Sequence, residues 1–335
     1  LTNNNESLIN KHEKNFKEDN TPTDKKINLL LELESKVKEK DNTAKIPYNG
    51  FSEDSYEKYI VNSNGLKCFD RSKSMSCYTS CLIEKEKLNS MHYHSSVGRT
   101  FKDLNVNSCV EESYNHSNGL LRGKPVKSGK YDIVFLPISL PQIFGAFTSM
   151  FSGKAAMDGK NPFRDRVGEM IASTDLTISD LPHYNEAMSY CLFDDEGCTK
   201  NDLKLIDKGV LNSFYHNSKT ARYFNTDNTA QGSRSSKGHL GVSSTNLVIS
   251  KGSAKKEEIY SGDVIEILSM QGLHSGTDPI SGDFSVAISG YHKNNGELVQ
   301  PVRGATLSGN FFELLNQVKF LGDEVYGNPS KDFFS

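Results

Sequence analysis

The sequence predicts an α+β fold in which antiparallel β-sheets carry packed helices on one side. The segment Asp263–Met270 alternates apolar and polar residues, and the strand Phe284–His292 leads into Asn294-Asn295-Gly296, a strong hairpin signal. Strands this rich in glycine and turn residues are typical of an antiparallel sheet with one buried face. Helical periodicity is confined to a few segments, of which Lys25–Lys40 and Leu140–Phe151 are the longest.

The N-terminal part predicts a helix followed by an antiparallel meander. The helix Lys25–Lys40 follows Thr21-Pro22-Thr23-Asp24, where Thr or Asp can cap and Pro suits the first turn. The meander consists of two hairpins, one turning at Asn62-Ser63-Asn64-Gly65 and one at the charged tip Lys85-Glu86-Lys87. The predicted strands are Tyr56–Val61, Leu66–Arg71, Ser74–Glu84 and Ser90–Gly98, and a second helix is predicted over Val110–Asn118.

The C-terminal part predicts a larger set of short elements around the strands already described. Gly153–Asn161 is predicted as a loop, and Phe163–Ala172 as a helix or at least a packed segment. Thr226–Gly241 lacks periodicity and is predicted as a long loop of the kind that often carries function. The other predicted elements are a buried strand Tyr131–Leu136, a hairpin Leu203–Tyr215, a helix Asn217–Phe224, strands Ser244–Ser250, Glu297–Pro301 and Val302–Leu307, and a helix Phe311–Val318 with Asn310 as its N-cap.

Composition excludes several classes of protein. The chain of 335 residues has a formal net charge of -3, which argues against a nucleic-acid-binding surface. No apolar run approaches the ~20 residues that a membrane-spanning helix needs. Six cysteines in a chain of this length are not a disulfide framework. We therefore expect free thiols, a reducing compartment and a cytoplasmic location.

Four stretches carry a resemblance to a known family. They are VNSNGLKCFDRSKSMSCYTSCLIE, FDDEGCTKNDLKLIDKGVLNSFYHNSKTARYF, GLHSGTDPISGDFSVAISGY and NGELVQPVRGATLSGNFFELL. Their motifs and their order resemble the TldD/TldE (PmbA) family, whose members were once described as modulators of DNA gyrase. The resemblance covers residues 20 to 325 and implies a two-domain chain.

The TldD branch of that family resembles a metallopeptidase with a HExxxH helix, in which two histidines bind zinc and the glutamate activates water. Aligning Phe163–Ser173 with the segment after that motif places the two metal positions on Phe144 and Ser149 and the glutamate position on Gly145. No HExxH or HExxxH occurs elsewhere in the chain. The resemblance therefore implies the TldE branch, with no metal site and no cofactor in this chain and with zinc in a partner subunit.

His274 is the strongest isolated catalytic candidate. It lies near Asp278 and Asp283 in the sequence, and a histidine–carboxylate pair can perform acid–base chemistry. The resemblance implies that the equivalent loop of TldD-like chains contributes to the metal site, but the other ligands are missing here. A histidine that structures the loop or an interface is the preferred interpretation.

Four other groups of residues allow a site but favour a structural interpretation. Asp194-Asp195-Glu196-Gly197 could bind a hard cation, although an acidic turn is preferred. His92 and His94 share one face of a strand and are interpreted as surface residues rather than metal ligands. Cys77 and Cys81 are interpreted as buried thiols, with Cys68 on a neighbouring strand. The segment Gln231–Gly241 could contact an anion or a peptide through Arg234, Lys237 and His239.

Two domains are predicted. Residues 1–125 are expected to be the remainder of an N-terminal α+β domain whose upstream part is absent, and residues 126–335 a C-terminal TldD/PmbA-type sheet domain. The resemblance implies a non-metal subunit of a heterodimeric TldD–TldE zinc metalloprotease that acts on unfolded or small peptides, with a TldD-like HExxxH subunit as its partner. An independent hydrolase using the His274 loop and a homodimeric peptide-binding protein remain as alternatives.

Overall fold

The N-terminal part of the chain is a four-stranded sheet with helices on one face. The structure, a computed structural model, describes residues 8–9, 14–185, 187–235 and 237–325. The N-terminal elements are β1 (Leu8–Ile9), α1 (Thr23–Lys40), β2 (Asn49–Val61), β3 (Lys67–Lys85), β4 (Leu88–Gly98), a 3₁₀ turn (Phe101–Asp103) and α2 (Val106–Gly119). Both predicted helices are thus confirmed; α1 begins after Pro22, which occupies the N-cap position without a side-chain cap.

Strand β3 is the central strand of this sheet. It pairs in antiparallel fashion with β2 on one side and with β4 on the other, and in parallel with β1. The prediction of two separate strands, Leu66–Arg71 and Ser74–Glu84, was wrong, because one strand of 19 residues serves both hairpins. The polar run between them continues the strand because Lys73 is buried and its ammonium lies 2.7 Å from the Glu53 carboxylate on β2.

The C-terminal part contains two further sheets and a small hairpin. Its elements are β5 (Asp132–Phe135), α3 (Leu140–Phe147), α4 (Gly153–Met157), β6 (Ile178–Asp180), β7 (Leu203–Asp207), β8 (Val210–Leu211), α5 (Ser218–Phe224), β9 (Gly232–Arg234), β10 (Leu240–Val242), β11 (Leu247–Ile249), α6 (Lys256–Ile259), β12 (Asp263–Gln271), β13 (Asp283–Asn294), β14 (Glu297–Asn310) and α7 (Phe311–Asn316). The larger sheet has the order β14-β13-β12-β5 and the smaller one β11-β6-β7-β8, while β9 pairs with β10.

The large sheet is antiparallel except at one edge, where β5 runs parallel to β12. The predicted hairpin at Asn294-Asn295-Gly296 is confirmed, with Asn295 and Gly296 both in the left-handed region at φ 49° and 82°. The strands predicted separately as Glu297–Pro301 and Val302–Leu307 form the single strand β14. Two register shifts along its pairing with β13 absorb the irregularity of this segment.

An aromatic cluster fixes α3 and α7 against the large sheet. Phe147 is fully buried, stacks on Phe311 at a centroid distance of 4.5 Å, and meets Phe284 and Phe312 edge-on. These rings come from α3, β13 and α7, so the cluster joins three elements that are distant in sequence. Asn310 caps α7 through the N–H groups of Phe312 and Glu313, as predicted.

Three predictions for irregular segments were wrong. Gly153–Asn161 contains the short helix α4, because the Ser152 hydroxyl accepts the Ala155 N–H as an N-cap. The helix predicted over Phe163–Ala172 is replaced by turns, because Gly168 at φ 91° breaks any helical run there, although the alternative of a packed segment holds at Ile171, which is buried. Thr226–Gly241 is not a structureless loop, since it contains β9 and the start of β10.

The boundary at residues 125 and 126 falls between α2 and β5 and stays a prediction. Among the described residues, none of the helices combines the length and the apolar character needed to cross a membrane.

Replacing Phe147 by Ala tests the aromatic cluster. We expect a loss of about 3–5 kcal/mol in the free energy of unfolding, because a buried ring that touches three others leaves a cavity. Urea unfolding of Phe147→Ala against the wild type measures it. Leu298→Ala, at an exposed residue of β14, is the control and should change stability by less than about 0.5 kcal/mol. Equal effects of the two substitutions would contradict this packing.

Candidate functional site

The three positions aligned with the HExxxH motif lie at the C-terminal end of α3 and just beyond it. Phe144 is buried, and its ring meets Phe311 edge-on at 5.0 Å. Gly145 faces open space, since a Cβ at this residue would have no atom within 4 Å of it. Ser149 follows in the 3₁₀ turn Thr148–Phe151, so the regular helix ends before the last motif position. A phenyl ring, a hydrogen atom and a hydroxyl do not fit a zinc site of the histidine–glutamate type.

The His274 loop connects β12 to β13 and is held by its carboxylates. Asp278 accepts the backbone N–H groups of Ile280 and Ser281, and these bonds hold the pKa of its carboxyl below the usual value. Asp283 accepts the Ser281 hydroxyl and the Asn310 side-chain amide.

His274 itself is exposed, and within the described residues neither carboxylate is hydrogen bonded to it. The two acids therefore structure the turn, whereas a catalytic role for His274, Asp278 and Asp283 stays a prediction.

The acidic segment Asp194–Glu196 forms a buried turn between the two parts of the chain. Asp194 is 2% exposed, and its carboxylate accepts three backbone N–H groups: Glu196 and Cys198 at 2.9 Å, and Gly232 at 2.8 Å. Burial raises the pKa of this carboxyl, and the three backbone bonds oppose that shift. Glu196 accepts the Ser218 N–H at 2.7 Å and so anchors the first turn of α5.

One oxygen or sulfur atom from each of Asp194, Glu196 and Cys198 lies within 4.8 Å of the others. This is the spacing of a cation site, but backbone donors already occupy both Asp194 oxygens, and the Cys198 sulfur accepts the Asn228 amide at 3.4 Å. Hydrogen bonding therefore accounts for the buried acids without an ion. The acidic-turn interpretation is the one that this geometry favours.

The β2–β3 hairpin docks on this turn. Leu66, at the end of the hairpin, packs with Phe193 and lies so close to Gly197 that a Cβ there would collide with its side chain. The Lys58 ammonium pairs with the Asp195 carboxylate and lies 5.2 Å from the centre of the Phe193 ring. Gly197 also adopts the left-handed backbone conformation at φ 78°. This position therefore requires glycine both for its backbone conformation and for its close contact with Leu66.

Sequence reasoning missed a buried lysine beside the turn. Lys200 is 5% exposed and donates to the Gln231 side-chain oxygen, which is fully buried. Burial lowers the pKa of its ammonium group. Gln231 belongs to the predicted contact segment, but the Arg234 N–H donates to Asp195, so part of that segment is committed to holding the turn. A contact with an anion or a peptide through this segment stays a prediction.

The interpretation of His92 and His94 as surface residues was wrong. His94 is 3% exposed, and His92 is half-buried with its ring 6.0 Å from the His116 ring on α2. His116 in turn contacts the Glu112 carboxylate at 3.0 Å. Burial, followed by the charges of His116 and Arg303, lowers the pKa of His92 to about 4. The period-2 spacing placed the two histidines on one face correctly, but which face is buried depends on where α2 packs.

The cysteines are free thiols, and all except Cys191 are buried. Cys77 and Cys81 lie on β3 in the core beneath the helices, as predicted. Cys68 was expected on a neighbouring strand, which was wrong because it lies on β3 itself. The Cys109 sulfur, on α2, lies 3.9 Å from the Cys77 sulfur.

Replacing Asp194 by Asn tests the acidic turn. An amide keeps one acceptor but presents an N–H₂ group to a backbone donor, so we expect a loss of about 1–3 kcal/mol in the free energy of unfolding. Asp202→Asn, at an exposed residue nearby, should be neutral. Thermal unfolding with added Ca²⁺ or Zn²⁺ is the second measurement. A metal-dependent rise in Tm that Asp194→Asn abolishes would replace the acidic turn by a cation site.

The pKa of His92 predicts an acid-dependent loss of stability. Its folded value of about 4 lies below the unfolded value of about 6.5, so the unfolded chain binds more protons between these limits and stability falls as the pH drops through them. His92→Gln should remove this share of the pH dependence. Urea unfolding between about pH 7 and pH 5 measures it. Met91→Gln, which adds no titrating group, is the control; parallel pH profiles for wild type and His92→Gln would contradict the assignment.

Comparison with known proteins gives the same architecture. A relative from Thermotoga maritima, solved as a putative modulator of a DNA gyrase, is 25% identical and superposes with a TM-score of 0.83 over 96% of this chain and 75% of its own. TldE from Thermococcus kodakarensis, 23% identical, shows the same fold with a TM-score of 0.79 over 89% of this chain and 68% of its own.

Proteins of similar sequence belong to the same group. A metalloprotease from Methanocaldococcus jannaschii is 27% identical over 72% of this chain and 54% of its own length, and metalloprotease PmbA from Escherichia coli O157:H7 is 24% identical over 78% and 58%. The chain thus spans between about half and two thirds of the curated relatives that it matches. The model of the PmbA/TldA metallopeptidase central domain matches residues 16–118 and that of the C-terminal domain residues 128–332. The chain belongs to the PmbA/TldD metallopeptidase family.

Proposed function

We propose that this chain is the non-metal, TldE-like subunit of a heterodimeric TldD–TldE zinc metalloprotease that acts on unfolded or small peptides. The observation that carries the proposal is the set Phe144, Gly145 and Ser149 at the positions of the zinc motif. Phe144 is committed to the aromatic core through Phe311, and Gly145 supplies no base. A TldD-like HExxxH partner would supply the zinc and the glutamate, and the six free thiols favour the cytoplasm as the location.

The contribution of this chain would be to bind and enclose the peptide. The exposed face of strands β13 and β14 is polar and offers hydroxyl groups such as the Ser285–Ser308 pair, while β14 offers backbone groups along its outer edge. Contacts with the peptide backbone would leave cleavage tolerant of side-chain sequence. A partner subunit over this sheet would exclude bulk folded protein from the chamber.

Peptide cleavage by this chain, by a HExxxH-bearing relative and by their mixture tests the proposal. We expect activity only in the mixture, with complete loss on adding a chelator, because the metal and the base come from the partner. His274→Ala in this chain should change the rate by less than about twofold, since no acid–base step is assigned to it. Asn295→Ala, in the distant hairpin turn, is the matched control.

Cleavage by this chain alone that resists the chelator and disappears in His274→Ala would establish the independent hydrolase instead. Failure to co-purify with the relative, together with a stable homodimer that binds peptide without cleaving it, would establish the homodimeric peptide-binding protein.

A further inference from the structure

Strand β2 forms a long open edge of the N-terminal sheet. Its 13 residues pair with β3 alone, from Asn49 opposite Thr79 to Val61 opposite Lys67. In an antiparallel pair, every second residue points its N–H and C=O groups away from the neighbouring strand. Within the described part of the chain, no backbone or side-chain group is hydrogen bonded to those outward groups.

The edge has only one of the usual protections against strand addition. Natural edge strands are shortened, bulged, interrupted by proline or lined with charged side chains, because an open edge accepts foreign strands, and β2 shows only the charged side chains. The pairing of β2 with β3 runs without a register shift, and β2 contains no proline. Its single lysine, Lys58, is directed to Asp195 at the junction with the C-terminal part. An edge that remains long and regular is open to strand addition by a segment whose charge complements its own.

The side chains of β2 suit an extended ligand. Both faces of the strand are exposed over residues 52–57, so this part of β2 extends beyond the hydrophobic core. Tyr56 and Tyr59 are 58% and 65% exposed, and Val61 is 72% exposed. Cross-strand contacts with aromatic and β-branched side chains are the main source of affinity and register in an added strand.

The charged side chains of β2 favour one class of added strand over another. Glu53, Asp54 and Glu57 place three carboxylates within a short stretch, and only Glu53 forms ion pairs in the described structure, with Lys26 and Lys73. A second copy of β2 in antiparallel register about Ser55 would set Glu53 opposite Glu57, and like charges directly opposite each other are unfavourable. Lys or Arg residues on an added strand would instead meet Asp54 and Glu57.

We propose that the free edge of β2 binds an extended, cationic segment of another polypeptide by strand addition. The outward N–H and C=O groups of β2 pair with the backbone of that segment. On one face of β2, Asp54 favours a Lys or Arg side chain of that segment and Tyr56 covers an apolar one, and on the other face Glu57 and Tyr59 do the same. This site lies in the N-terminal sheet and does not rest on the proposed role in proteolysis.

Three labelled peptides of about ten residues test strand addition to the full chain. The first, the Lys/Val peptide, repeats Val-Thr-Lys, so that Lys falls opposite both Asp54 and Glu57 and Val opposite both Tyr56 and Tyr59. The second repeats Val-Thr-Glu, and the third is the Lys/Val peptide with alternate backbone amides methylated. Fluorescence anisotropy measures Kd. We expect the Lys/Val peptide to bind at least about tenfold tighter than either of the others, because one lacks the charge and the other lacks the donors. Binding of the methylated peptide with equal affinity would overturn the proposal.

Variants of the chain then locate the site. The double variant Asp54→Lys/Glu57→Gln should weaken binding of the Lys/Val peptide by about tenfold. The matched control Asp165→Lys/Glu297→Gln changes the net charge by the same amount at exposed residues outside β2. The control should leave the Kd of the peptide unchanged. Circular dichroism confirms that both variants fold.

Hydrogen exchange with and without the Lys/Val peptide should show protection confined to residues 49–61. Protection elsewhere, an equal loss of affinity in both double variants, no binding of any peptide, or protection of β2 by self-association at high concentration would each overturn the proposal.

Discussion

The buried carboxylate of Asp194 is the constraint on which the rest of the structure depends. A buried carboxylate is costly unless it is hydrogen bonded, and here three backbone N–H groups from two chain segments satisfy it. These bonds fix the turn Asp194–Cys198 against β9, and the same turn then receives Leu66 and Lys58 from the N-terminal hairpin and the first turn of α5 through Glu196. One desolvated carboxylate thus holds a turn that both parts of the chain and a helix contact.

The aromatic cluster joins distant elements inside the C-terminal domain, and it includes a position that bears on function. Phe144 and Phe147 belong to the same short helix, and both rings pack on Phe311. A side chain at position 144 that bound metal would have to leave that contact and turn away from the core. Phe144 therefore contributes to the stability of the fold at a position that the resemblance aligns with a metal ligand.

The parts of the fold that the sequence predicted well are those with strong local signals. Asn294-Asn295-Gly296 and Lys85-Glu86-Lys87 form tight turns with residues in the left-handed region, and Asn310 caps its helix as expected. Local signals misled where a distant contact decides the outcome. The polar run around Lys73 indicated a break between two strands. In the structure the Lys73 ammonium pairs with the Glu53 carboxylate on β2, and β3 is continuous. His92 and His94 share a face as predicted, but only the packing of α2 determines that this face is buried. The burial of Lys200 and its bond to Gln231 have no counterpart in the sequence pattern, because they depend on residues far apart in the chain.

The parallel pairing of β5 with β12 has a consequence for synthesis on the ribosome. The N-terminal sheet and its helices involve residues up to Gly119, so that part can fold as soon as it emerges, whereas β5 emerges next and must wait for β12 until the whole of residues 136–262 has been translated. During that interval β5 is a strand with neither of its edges paired, and closing a loop of this length makes the final step slow. Strand β5 is therefore open to aggregation while residues 136–262 are being translated, and it is the segment that a chaperone would have to cover.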